Sequence, residues 1–227
     1  MPTVTLHRIG NERQPVVVID DFAPDPDALR AAAVGSAFGP ASHHYPGIRA
    51  DLPGAYLPAQ LPVIEAALGE ALDGAPRLEA IDASFSIVTM PRDALSVSQR
   101  LPHCDAHDAG RIALVHYLSP DDCDGTGFFR HRSTGFESVD ARHSAIYRDQ
   151  VDAELRYGGA PPSDYWTGDG AVFERIFAVE ASYNRAIVYP SFVLHSGLIG
   201  AQASLSPDPA RGRLTVTGFF SIASQGA

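Results

Sequence analysis

The chain has 227 residues, 45% of them hydrophobic and 19% charged, with a formal net charge of -10, which suits one globular domain over 1–227 with a substantial core. No lysine occurs anywhere in it and every basic residue is arginine, which excludes a P-loop lysine, a pyridoxal-phosphate Schiff base and any lysine nucleophile. The acidic balance argues against a nucleic-acid partner, because no broad basic face is there to neutralise phosphates.

The opening MPTVTLHRIGNERQPVVVIDD lacks a basic start followed by a long apolar run, and no stretch of about 18 apolar residues follows. A cytosolic protein with no membrane partner is expected. Gln14 to Phe22 reads as a buried strand, and DPDALRAAAVGSAF as a helix capped by Asp25 or Asp27. Residues 39–60, dense in Pro and Gly, read as an irregular surface segment, and LPVIEAALGEALDG as a second helix near 61–73. Residues 1–78 are thus a leading strand with supporting helices.

From Glu79 the pattern changes to short apolar strands: AIDASFSIVTM, RIALVHYL, GTGFFRHR, AVFERIFAV, RAIVYPS and RLTVTGFFSI, each bounded by turn residues. Helices first and then many short strands predict a mostly β fold with flanking helices: a jelly-roll barrel over 79–222 with the N-terminal helices packed on one side. Residues 133–165 are polar and aromatic without clear period and read as a long insertion covering a site. Cys104 and Cys123 are too few for a disulfide framework and are expected as free thiols without a catalytic role.

Three dispersed residues carry the first chemical signal. In LPHCDAHDAG, an extended backbone would send His103 and Asp105 off one face and Cys104 off the other. His195 ends an apolar strand about 90 residues later. Two histidines and one carboxylate on one side of an ion leave its other positions open, the arrangement that suits non-haem Fe(II) activating oxygen. The second signal is Arg213 in RGRLTVTGFFS, where alternation puts Arg213 and Thr215 on one face. A buried guanidinium needs an anion and matches a carboxylate with two parallel hydrogen bonds; Thr215 adds a hydroxyl, so the pair fits the far carboxylate of a dicarboxylic 2-oxo acid.

His-x-Asp, a distant His and then an Arg in a strand beginning GR resemble the 2-oxoglutarate/Fe(II) oxygenase superfamily, and within it the prolyl 4-hydroxylase-like branch. HCDAHDAGRIALVHYLSP is similar to that branch's segment leading from the metal pair, NRAIVYPSFVLHSG to its strand into the distal histidine, and GRLTVTGFF to its cosubstrate strand. The resemblance covers roughly 79–222. It implies a double-stranded β-helix fold, with His103, Asp105 and His195 on Fe(II), Arg213 on the 5-carboxylate of 2-oxoglutarate, and Tyr117 and Thr215 beside it. O2 is the co-reactant, and hydroxylation of a small molecule or an amino-acid or peptide side chain is the expected reaction. Two features differ from the branch: the 18-residue spacing from His195 to Arg213 is long, and GTGFF stands where a Gly-Gly-acidic turn is usual.

Other polar groups receive ordinary readings. His107 is an alternative ligand, but three ligands on one short strand splay beyond a single ion. His116, opposite Tyr117, reads as a core histidine. His43, His44, His131 and His143 fall in loops or strand ends, where HHYPGIR and the RHR of 130–132 touch substrate only if their loops fold over the metal. Arg211, the rival anchor, is expected to face water. Asp121, Asp122 and Asp124 lack the spacing and terminal Glu of a calcium loop and read as a solvated turn. Tyr147, Tyr157, Tyr165 and Trp166 make the insertion either a lid or an anchored loop. Rival functions are a metallohydrolase using the same triad, which lacks a His-Glu-x-x-His motif and leaves Arg213 idle, and a barrel that binds metal or ligand without turnover. A homodimer is the common default.

Overall fold

The computed structural model describes all residues except 42–43, 73, 75, 121–123 and 224–227. In chain order the elements are β1 (Thr3–Ile9), β2 (Gln14–Asp20), α1 (Pro26–Val34), β3 (Gly39–Pro40), β4 (Gly47–Asp51), α2 (Tyr56–Gly69), β5 (Leu78–Val88), β6 (Arg111–Tyr117), β7 (Gly125–His131), α3 (Ser144–Gly158), β8 (Phe173–Glu180), β9 (Ala186–Pro190), β10 (His195–Gly197) and β11 (Leu214–Ile222). Among the described residues they form two antiparallel sheets, one in the order β1-β2-β9-β6-β11-β5-β4-β3 and a smaller one in the order β10-β7-β8. This is the jelly-roll architecture, mostly β with helices on one side, that the strand-rich sequence predicts.

Strand alternation sorts the large sheet into two faces. Ile112, Leu114, Leu118, Val188, Leu214, Val216, Phe85 and Ile87 pack with Leu29 and Ala33 of α1 and Ile64, Ala67 and Leu68 of α2. The opposite face sends Val16, Val18, Ala113, Tyr117, Ile187 and Tyr189 toward Phe128 and Val179 of the small sheet. The interior between the sheets is where the polar groups converge. Asp25 caps α1 by accepting from the Ala28 amide at 2.9 Å, with Pro26 at the first helical position.

His116 is on the helix side and fully buried, the core histidine expected of it. Asn184 accepts the Ala23 amide on Oδ1 at 2.9 Å and donates through Nδ2 to the Ala23 carbonyl at 3.0 Å, which fixes its amide orientation. His116 Nε2, 3.1 Å from that same Oδ1, is therefore the donor, and Nδ1 accepts from the Tyr56 hydroxyl at 3.1 Å.

Several elements differ from the sequence reading. Residues 39–60 are not wholly irregular: they hold β3, β4 and the first turn of α2, which carries Pro62 inside it. Strand β1 was not apparent because its outer face stays accessible as the sheet's edge. The insertion contains α3, which has no fully buried residue; Tyr147, Val151 and Leu155 form one narrow stripe against Leu101, Phe129, Val139, Phe173 and Leu194. A stripe that thin leaves little periodicity in the sequence. His43, Asp121, Asp122 and Cys123 lie outside the described residues. Among the described residues, no helix is long and apolar enough to cross a membrane.

Candidate metal and anion site

Strand β10 pairs with β7, His195 opposite Phe128. On its other side His103 makes an isolated antiparallel bridge: its N–H donates to the His195 carbonyl at 2.9 Å, and the His195 N–H returns the bond at 2.8 Å. The two imidazoles are therefore cross-strand neighbours, with ring centroids 4.6 Å apart. The chain leaves the ladder after this one residue rather than continuing as an extended strand, and the Asp105 amide donates to the Ser191 carbonyl at 2.8 Å. That turn brings the carboxylate back between the rings. Asp105 Oδ1 is 3.7 Å from His103 Nε2 and Oδ2 is 3.4 Å from His195 Nε2.

One ligand atom from each of the three lies within 4.8 Å of the others. Ligands about 2.1 Å from one ion at right angles stand about 3 Å apart, so the donor set fits a transition metal with a slight inward closing. His195 Nδ1 donates to the Val193 carbonyl at 3.0 Å, which fixes the tautomer and leaves Nε2 bare. Desolvation, then repulsion from His195, lowers the His103 pKa to about 4. Solvent at its open edge, where 53% of the side chain is accessible, moderates the size of that effect without changing its direction. Burial and Asp105 raise the Cys104 thiol to about 11, which keeps it protonated and unreactive. Tyr189, unmarked in the sequence, packs edge-on against His195 at 4.9 Å and lies in the field of Asp105.

The candidate anion site is a row across three strands. Tyr117 of β6, Thr215 of β11 and Ser86 of β5 are in register and share the interior face. Just before β11, Arg213 is 8% exposed. Its Nη2 donates to the Gly125 carbonyl at 3.1 Å, its Nε is buried with no partner, and its guanidinium stands 5.7 Å from the Tyr117 ring centre. Among the described residues no carboxylate forms an ion pair with it. Tyr117 shares a 2.8 Å hydrogen bond with Thr126, and Thr215 donates to the Ser86 carbonyl at 3.2 Å. The long His195-to-Arg213 spacing is taken up by a loop that closes tightly: a Cβ on Gly212 would fall 2.3 Å from the Ser206 carbonyl oxygen.

Strand β7 ties the two sites together. It offers Gly125 to Arg213 and pairs Phe128 with His195, three residues or about 10 Å of strand.

The remaining candidates fall outside this constellation. His107 Nδ1 donates to the Val139 carbonyl at 2.7 Å and is not among the converging ligands. His131, expected in solvent, is instead fully buried, bonded to Thr134 at 2.8 Å and to Glu154 at 3.0 Å. With Ser133 also on Glu154, it pins α3 to the end of β7. His143 pairs with Asp140 at 3.1 Å at the start of α3, and Arg211 is exposed beside Asp208. Asp124 accepts the Gly200 amide at 2.8 Å, as a loop clasp. Tyr165 anchors its loop by donating to the Met90 carbonyl at 2.8 Å, while Tyr157 is exposed. Sequence reasoning missed Tyr45: its hydroxyl is buried without a partner, close to Arg213, Thr215 and Ser86.

A family model described as "Family of unknown function (DUF6445)" matches residues 1–220. No curated protein matches the chain. Among solved structures, HygX from Streptomyces hygroscopicus, with nickel and 2-oxoglutarate bound, superposes with a TM-score of 0.53 at 11% identity, over 92% of this chain and 83% of that one. SnoK, a non-heme alpha ketoglutarate dependent carbocyclase from nogalamycin biosynthesis, gives 0.52 at 14% identity, over 92% and 80%. At these identities the likeness is one of fold.

Proposed function

The chain belongs to this DUF6445 family of unknown function, and from its site we propose that it is an Fe(II)- and 2-oxoglutarate-dependent oxygenase resembling the prolyl 4-hydroxylase-like branch. The carrying observation is that a His-Asp-His cluster with an open side and a buried arginine without an acidic partner share one barrel interior, linked through β7. His103, Asp105 and His195 would hold the iron, which with 2-oxoglutarate and O2 supplies the oxidising chemistry. The chain's own work is binding and orientation. His195 presents Nε2 because Val193 holds its Nδ1 proton. Arg213 takes the distal carboxylate of the cosubstrate beside Tyr117 and Thr215, with the other end of the dicarboxylate at the metal. Tyr189, Phe128 and Val193 give the interior beside His195 an apolar lining.

HygX and SnoK support this reading through a shared fold and, in HygX, a bound metal and 2-oxoglutarate. The product is assigned as a hydroxylated small molecule or amino-acid or peptide side chain, formed by one domain spanning the chain. The metallohydrolase alternative uses the same triad but gives Arg213 nothing to bind. Anaerobic titration of the Fe(II)-loaded protein with 2-oxoglutarate decides between them. The oxygenase reading requires a weak visible charge-transfer band that is lost in Asp105→Ala and needs far more 2-oxoglutarate in Arg213→Ala. Iron binding without that band refutes it.

A further inference from the structure

The turn between β3 and β4 leaves one buried polar group unexplained. The Tyr45 hydroxyl is sealed from solvent and has no hydrogen-bond partner. Leaving a hydroxyl so desolvated is unfavourable, yet backbone bonds and close packing hold Tyr45 in this position. The Gly47 amide donates to the Tyr45 carbonyl at 2.9 Å, and the Thr89 and Met90 amides both donate to the Pro46 carbonyl at 3.1 Å. Gly47 presses against β5 so closely that a Cβ there would fall 1.9 Å from the Ile87 carbonyl oxygen. The ring is packed with Val88, Leu95, Tyr165 and Ile199, and Arg49 covers it at 4.9 Å.

The hydroxyls of Thr215 and Ser86 are its polar neighbours, but neither meets it in hydrogen-bonding geometry, and their own protons are used elsewhere, Thr215 donating to the Ser86 carbonyl and Ser86 sharing its hydroxyl with Thr217 at 2.7 Å. Of the two cations beside it, Arg49 pairs with Asp82 at 3.3 Å, whereas Arg213 has no acidic partner among the described residues; the Nε of each is buried and unpaired. A buried phenol without a partner beside a guanidinium without an acid calls for an acceptor that both can reach. The preceding residue, His44, is exposed, and its carbonyl is held by Gln99 Nε2 at 3.0 Å.

We propose that Tyr45 is a further cosubstrate-binding residue, its hydroxyl donating to the same carboxylate that Arg213 holds, so that the 44–47 turn walls the anion site from outside the barrel. This rests on the oxygenase reading of the site. The ligand is a carboxylate distal to the metal, so Tyr45 should discriminate dicarboxylic from monocarboxylic 2-oxo acids.

The test is calorimetric titration of anaerobic Fe(II)-loaded wild type, Tyr45→Phe and Arg213→Gln with 2-oxoglutarate and with 2-oxobutanoate, which lacks the distal carboxylate. Losing one charge-assisted hydrogen bond should weaken 2-oxoglutarate binding to Tyr45→Phe about tenfold or more and leave 2-oxobutanoate binding unchanged, while Tyr165→Phe, whose hydroxyl is already satisfied, behaves as wild type with both acids. Equal affinities of wild type and Tyr45→Phe for 2-oxoglutarate overturn the proposal, as does an equal loss with both acids, which marks a packing role. Failure of wild type to bind 2-oxoglutarate, or binding indifferent to Arg213→Gln, overturns the oxygenase reading itself.

Discussion

Acidification should loosen the helix side of the barrel through His116. The ring is fully buried among Phe22, Tyr56 and Asn184, and desolvation lowers its pKa from 6.5 to about 4, against a smaller opposing effect of Asn184. The unfolded chain takes up a proton below pH 6.5 that the folded chain refuses until about pH 4. Stability is therefore fully present above 6.5 and falls as the pH drops between those values. At about 1.4 kcal/mol per unit, the fall amounts to about 3 kcal/mol. His103 and the carboxylates titrate in the same range, so the measurement is a difference: urea unfolding of metal-free wild type and His116→Gln at pH 7 and 4.5. The variant starts lower, because it loses ring packing and the Tyr56 bond. Wild type should then lose about 2 to 3 kcal/mol more than the variant on acidification. Parallel pH dependences of the two proteins would show that the buried ring carries no such linkage.

Three further outcomes follow from the same geometry. Asp105→Asn should abolish tight Fe(II) binding with little change in melting temperature, because among the described residues its side chain pairs with His103 and His195 alone; retention of the metal in equilibrium dialysis would remove Asp105 from the proposed site. Glu137, 1% exposed, accepts the Asn11 and Glu12 amides at 2.9 Å each and the Arg130 guanidinium, which outweigh its desolvation and hold its pKa below the ordinary value. Glu137→Gln should cost about 2–4 kcal/mol in urea unfolding at pH 7, and that penalty should shrink as the pH falls through the depressed carboxylate pKa; a penalty independent of pH contradicts the charge argument. His131→Ala should free α3 from β7 and speed proteolysis within 133–170 well before global unfolding, since α3 is held by one stripe and this clasp; unchanged cleavage refutes the clasp.

Local residue chemistry already determined much of the molecule. Alternation in β5, β6, β9 and β11 marked the strands and placed His116 and Tyr117 on opposite faces, because side-chain direction in a strand follows from position alone. Asp25 or Asp27 marked the start of α1 by the same kind of local rule, and the structure selects Asp25. The types and order of His103, Asp105, His195 and Arg213 were enough to nominate a metal and an anion.

Tertiary structure decided what depends on long-range contact. The ligands meet because His103 bridges to His195 for one residue and the chain then turns to the Ser191 carbonyl, which no local periodicity encodes. His131 is buried only because Glu154 of α3 reaches it. Tyr45 sits in a segment that reads as a surface loop, yet its hydroxyl ends beside Arg213, some 170 residues away in sequence. A buried donor without a partner is visible only once folding has removed its water, and that is why Tyr45 could not be singled out from the sequence.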